Sequence, residues 1–187
     1  MKAGVLALQG DFREHAAMLD ACGATPMLVR TAEQLNEVEC LVIPGGESTT
    51  IGRLATIHEL VEPIRARARE GMPVFGTCAG MIVMAKDVRG GERLLSIMDL
   101  TVERNAYGRQ VDSFEADIGA PGLDGGSIRG VFIRAPVVVR VGESVHVLAE
   151  HEGRAVVCEQ GRMLAAAFHP ELAGERRLHE RFLGMVE

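Results

Sequence analysis

The segment Val74-Phe75-Gly76-Thr77-Cys78-Ala79-Gly80-Met81 places a cysteine between two glycines, each two positions away, where a strand-like run gives way to a helical one. This is the form of a nucleophile elbow. The serine version, G-x-S-x-G, turns sharply and under strain, so only small neighbours escape the adjoining strand and helix. Gly76, Ala79 and Gly80 meet that demand. A free thiol has a pKa of about 8.5, but helix amides aimed at the sulfur and a nearby imidazolium favour the thiolate and its attack on a carbonyl. A buried structural thiol, the expectation for Cys22, Cys40 and Cys158, would not require glycine at both second neighbours.

A thiolate nucleophile needs a group to shuttle its proton, and six histidines compete for the role. His169 follows a buried strand and precedes Pro170, which pushes it toward extended backbone, where residues two apart face the same way. Glu171 can then reach its ring, fixing the tautomer and stabilising the imidazolium. His-Pro-Glu alone says little, since a strand end gives the same tripeptide; beside the elbow it gains meaning. His151 and Glu152 form a rival pair in an expected hairpin turn, which makes His151 a surface residue. His15, His58 and His179 lie in helical segments and read as packing or solvated residues.

The third piece is Ile43-Pro44-Gly45-Gly46-Glu47-Ser48-Thr49-Thr50, a glycine pair between strand and helix whose exposed amides suit an oxyanion. One such donor is worth about 2.7–4 kcal/mol of transition-state stabilisation, so the N–H of Gly46 beside that of Ala79 would matter. A plain turn with Ser48 as helix N-cap is compatible with that role. The spacing and lysine of a phosphate loop are missing. Arg104 and Arg134 are candidates for recognising a polar substrate, although most arginines are only solvated charge.

These pieces need a scaffold. Short β-branched runs at residues 4–8, 27–29, 40–43 and 72–75 alternate with helical patterns at 11–22, 32–38, 48–59, 60–70 and 81–87, which predicts an α/β fold with a parallel sheet. Beyond Gly90 the pattern becomes a meander, with strands at 131–133, 137–141, 145–149 and 163–168, turns at 151–153 and 160–161, and a closing helix over 174–186. The glycine-rich stretch 119–130 reads as a surface connection. The expected architecture is one domain over residues 1–187, a mainly parallel central sheet flanked by helices, with antiparallel strands in the second half. Both glycine-flanked turns follow carboxyl ends of strands, so Cys78 and Gly46 should be neighbours.

Composition limits the partners. With 20 Lys and Arg against 26 Asp and Glu the net charge is −6, which argues against nucleic acid. No apolar run approaches the roughly 20 residues of a membrane helix, and the first residues read as a strand rather than a signal peptide. Four sparse cysteines without a C-x-x-C pair suit a reducing cytoplasm.

Taken together, the segments 44–50, 76–80 and 168–172 resemble the triad-type, class I glutamine amidotransferases. Three further stretches, 8–15, 102–115 and 130–136, are similar to the glutaminase subunits of pyridoxal 5′-phosphate synthase, and the likeness runs from residue 4 to about residue 186. The resemblance implies hydrolysis of L-glutamine to glutamate and ammonia, with a separate synthase subunit building the pyridoxal phosphate ring in a hetero-oligomer. It implies Cys78 as nucleophile, His169 as acid and base, and Glu171 as its orienting partner. Gly46, Glu47, Ser48, Arg104, Ile133 and Arg134 would hold glutamine. It implies no metal and no cofactor. A cysteine hydrolase acting alone, such as a gamma-glutamyl hydrolase, and a non-catalytic partner-binding module are the other readings.

Overall fold

Apolar runs of four or five residues, bounded by Gly, Pro or polar breaks, build the centre of the molecule in a computed structural model that describes residues 1–104, 113–123 and 125–186. The first half runs β1 (Lys2–Leu6), α1 (Phe12–Ala21), β2 (Thr25–Val29), α2 (Ala32–Asn36), β3 (Cys40–Ile43), α3 (Ser48–Ile57), α4 (Val61–Arg69), β4 (Val74–Thr77) and α5 (Ala79–Met84). The second half holds β5 (Ala85–Arg89), β6 (Met98–Glu103), β7 (Phe114–Gly119), β8 (Ser127–Phe132), β9 (Val137–Val141), β10 (His146–His151), β11 (Arg154–Gln160), β12 (Met163–Ala166) and α6 (Arg177–Leu183). No helix among the described residues is long and apolar enough to cross a membrane.

Seven strands form one sheet in the order β10-β11-β12-β4-β3-β1-β2. The five from β12 to β2 are parallel, while β11 pairs antiparallel with both β10 and β12. The interior strands β3, β4 and β12 are buried at every position, as expected when both faces of a parallel sheet are covered. A three-stranded sheet, β5-β6-β9, and the β7-β8 hairpin complete the α/β fold.

Several sequence expectations shift. The helix expected over 81–87 starts at Ala79 and ends at Met84, because Ala85 turns extended and pairs with Met98. The glycine-rich stretch 119–130 is not all connection, since β8 begins at Ser127 and pairs back onto β7. The first strand lies at Lys2–Leu6 rather than 4–8, and the closing helix is confined to Arg177–Leu183. His151 is not simply at the surface: half-buried, it stacks on Phe114 and Phe132 at 5.7 and 5.5 Å.

The order places the carboxyl ends of β1, β3, β4 and β12 along one edge of the sheet. The order of strand addition reverses between β1 and β3, with β2 laid on one side of β1 and β3 and β4 on the other, and ligands of open α/β sheets bind at such a switch point. Two glycines let the layers close there. A Cβ on Gly80 would lie 2.1 Å from the Ile43 carbonyl oxygen, and one on Gly76 would lie 2.6 Å from the Gly80 carbonyl carbon. Both obstacles are backbone, so neither can swing aside. Gly80→Ala is therefore expected to lift α5 from β3 and to cost about 1–3 kcal/mol of stability, an overpacking penalty readable by thermal or denaturant unfolding. An unchanged midpoint would contradict this close approach.

Candidate active site

The tight elbow predicted at Cys78 is visible in its backbone, φ 48° and ψ −105°, a left-handed φ that side chains rarely adopt. Its N–H donates to the Ala166 carbonyl at 2.8 Å, which ties the turn to β12. The residue is only 5% exposed, with Sγ 3.6 Å from the Ile133 carbonyl oxygen. Burial pushes the thiols of Cys40 and Cys158 up to about 12, and burial followed by the Glu180 charge raises that of Cys22.

His169 arrives three residues after β12, and its N–H donates to the Val131 carbonyl at 2.8 Å, fixing the backbone against β8. The Gly45 backbone accommodates the ring, since a Cβ there would lie 2.2 Å from His169 Cε1. Nδ1 is 2.7 Å from Glu171 Oε1 and 3.2 Å from Asp11 Oδ2. With Nδ1 so occupied, Nε2 is the nitrogen left to face Cys78. Burial alone would lower the His169 pKa, but hydrogen bonding with Asp11, Cys78 and Glu171 outweighs it and pushes the ring up to about 12. Burial raises the Glu171 carboxyl, with the His169 imidazolium pulling the other way. Asp11, His169 and Glu171 bring three possible metal-ligating atoms within 4.8 Å of one another, yet both carboxylates are already acceptors at Nδ1.

A cleft of about 360 Å³ brings together Gly46, Glu47, Ser48, Cys78, Ala79, Arg104, Ile133, Arg134 and His169, with Asp11 and Ile82 completing its wall. Of the expected site residues, only Glu171 lies outside it, behind His169. Cys78 and Gly46 are the neighbours that the sheet edge implied. Arg104 is anchored by Glu47 Oε1 at 3.1 Å and Thr49 Oγ1 at 3.0 Å. A larger groove of about 650 Å³ shares Ser48, Ile82 and Arg104 with this cleft but is lined by neither Cys78 nor His169. Of the stretch 102–115, residues 105–112 lie outside the described residues.

Glu47 rather than Ser48 caps α3: its carboxylate accepts from the N–H groups of Thr49 and Thr50 at 3.1 and 2.7 Å. The longer side chain reaches back over the first turn, which a serine at the next position would not do. Burial would raise the Glu47 carboxyl, but the Thr50 hydroxyl and these backbone donors together outweigh it and pull the group down to about 2. Sequence reasoning assigned no role to Gln9 or Asp11. Gln9 Oε1 accepts the Glu47 N–H at 2.7 Å, and the Asp11 N–H donates to the Gly45 carbonyl at 3.1 Å, so the segment after β1 props the glycine loop. The available signal was its position after a strand of the same sheet edge.

The chain is 53% identical to a pyridoxal 5′-phosphate synthase subunit PdxT of Desulforudis audaxviator, over the full length of both. It is 55% identical to one of Pelotomaculum thermopropionicum, over 98% of this chain and 94% of the relative. A crystal structure described as a glutamine amidotransferase superposes with a TM-score of 0.93 at 49% identity, covering 98% of each chain. PurLQS from Thermotoga maritima, at a TM-score of 0.76 and 16% identity, shares the fold. A family model, SNO glutamine amidotransferase, matches residues 5–187, nearly everything described above. With the sheet edge, the elbow and the sequence in agreement, this chain belongs to the SNO glutamine amidotransferase family.

Proposed function

We propose that the chain, as one amidotransferase domain, hydrolyses L-glutamine to L-glutamate and ammonia, and delivers the ammonia to a separate ring-building subunit for pyridoxal 5′-phosphate synthesis. The observation that carries this reading is the meeting of Cys78 and His169, the latter paired through Nδ1 with Glu171, in a cleft that also presents Arg104 and Arg134. Its volume suits a small polar substrate. The arginines take the α-carboxylate, Glu47 is a partner for the α-ammonium, and Ser48 and Ile133 line the remainder.

Cys78 Sγ, as thiolate, attacks the side-chain amide carbon. The oxyanion that forms takes the N–H groups of Gly46 and Ala79. As the C–N bond breaks, His169 Nε2 gives its proton to the leaving nitrogen, releasing ammonia and a thioester. Acylation removes the sulfur charge that helps to raise the His169 pKa, so the ring that has given up its proton stays neutral and is free to accept one at the next step. Neutral His169 then takes a proton from water, the resulting hydroxide attacks the thioester, and glutamate leaves as the thiolate returns. Each step uses groups of this chain and water.

The partner follows from the relatives named as subunits of pyridoxal 5′-phosphate synthase. Ammonia serves a second enzyme only while unprotonated and shielded from bulk water, so a docked complex is the implied design. The four free cysteines suit the reducing cytoplasm we assign to it. The test is to measure glutamate release with and without the co-purified synthase subunit. Activation by the partner is expected; equal rates would favour a hydrolase acting alone.

A further inference from the structure

An ionised carboxylate in a protein interior needs donors on both oxygens, and Glu171 has a hydrogen bond on only one. Oε1 is paired with His169 Nδ1, while Oε2 is buried without a hydrogen-bond partner among the described residues. Facing it at 3.4 Å is His15 Nε2, and both side chains are wholly buried. The same nitrogen lies 2.9 Å from Thr77 Oγ1, which also accepts the Gly45 N–H at 3.1 Å. The other nitrogen of His15 lies 2.9 Å from His179 Nε2 on α6. One imidazole from α1 thus touches the carboxylate behind His169 and the residue before Cys78, and through Thr77 it reaches the glycine loop.

We propose that His15 is a positioning residue for the Cys78, His169 and Glu171 set, carrying its proton on Nε2 toward Glu171 and Thr77, in a tautomer fixed by His179.

Burial, then the charges of His179 and His169, hold the His15 pKa well below its ordinary value, so the ring is neutral and has one proton to place. On Nε2, that proton faces the unpaired Glu171 oxygen. Nδ1 is then an acceptor and takes the Nε2–H of His179. The one atom left over is His179 Nδ1, the other buried unpaired polar atom. There it is a bare lone pair, cheaper to leave alone than an N–H. A single proton placement accounts for both unpaired atoms.

In the reverse arrangement, His179 Nδ1–H points toward the Glu175 backbone, His15 Nδ1–H donates to His179, and the Thr77 hydroxyl donates to His15. The Glu175 backbone does favour a proton on His179, against the burial that lowers its pKa to about 4, but Nδ1 makes no well-formed hydrogen bond. That arrangement would also set a lone pair against the Glu171 carboxylate. The charged and titratable groups facing Glu171 are His169, Asp11 and His15; those facing His15 are Glu171, His179 and His169.

The test has two arms, and only the kinetic one rests on the glutaminase reading. In the intact ¹⁵N-labelled protein, long-range proton–nitrogen correlation should show His15 protonated at Nε2 and bare at Nδ1 across about pH 6–8, where a free histidine would titrate. A proton on Nδ1 overturns the proposal. In the glutamate assay with the synthase present, His15→Leu is expected to lower kcat roughly 10- to 100-fold, the worth of one hydrogen bond to a charged group, with KM unchanged. The acid limb of its pH profile should move to higher pH, because an ionised Glu171 short of a donor is easier to protonate. His15→Gln, whose amide N–H can reach Oε2, should restore most of the rate and return the limb. Equal losses in both variants with the limb in place, or no loss in His15→Leu, would overturn the proposal. If His15→Leu fails to fold, the proton position decides it.

Discussion

Cys78→Ala is expected to eliminate glutamine-dependent glutamate release, a loss of roughly 10⁴-fold or more, the scale seen when an enzyme loses its nucleophile. No other cysteine can substitute. Cys40 and Cys158 are buried in the core with their thiols pushed up to about 12, and Cys22, on the far end of α1, is also raised. Alanine occupies the left-handed backbone at position 78 with no more difficulty than cysteine, and the N–H bond to Ala166 does not involve the side chain. The variant should therefore fold and dock. Pyridoxal phosphate formation from added ammonium salt, assayed with the synthase subunit, should continue unchanged. Loss of both the glutamine- and the ammonium-dependent reactions would instead mean that this chain acts as a scaffold.

The second large effect is expected at Glu171→Gln, with kcat falling roughly 10³- to 10⁴-fold, as when the acidic member of a hydrolase triad is made neutral. The geometry at Nδ1 survives in outline, because an amide oxygen can still accept the His169 proton. What disappears is the negative charge that stabilises the imidazolium. His169 is held above its ordinary value in the folded protein, and in the proposed mechanism the protonated ring is the acid that releases ammonia. Removing a carboxylate lowers that pKa, so the basic limb of the pH profile should move toward neutrality. The shift is only partial, because Asp11 Oδ2 remains 3.2 Å from Nδ1. A full pH profile of kcat/KM checks this; a basic limb that stays in place would remove Glu171 from its assigned part.

Features enforced by local sterics could be read in the sequence. An elbow needs small residues at set offsets, and Gly76 and Gly80 record contacts of 2.6 and 2.1 Å that a Cβ would make. The His169 to Glu171 contact was legible because an extended chain points alternate residues the same way. The contacts of Asp11 with His169 and of His15 with Glu171 were not, because those partners lie more than 150 positions away, and only the sheet order brings them together. The sequence reads His15 as a packing or solvated residue; it is buried rather than solvated, and its polar partners go beyond packing. Strands β5 to β7 escaped notice because they lack a continuous apolar run: β7 buries only Ile118. The helix cap fell to Glu47 because reach over the first turn mattered more than propensity at Ser48.

The position of β12 has a consequence for biosynthesis. It pairs with β4 at one edge and β11 at the other, although β4 is made some ninety residues earlier. While the ribosome is still extending the chain, β4 has one flank without its eventual neighbour, an invitation to wrong pairing that folding must hold off until β12 emerges. The same delay keeps an incomplete polypeptide harmless. Cys78 appears early, but the imidazole that the proposed mechanism assigns to it follows β12, so on that mechanism a truncated translation product would have no means of squandering glutamine.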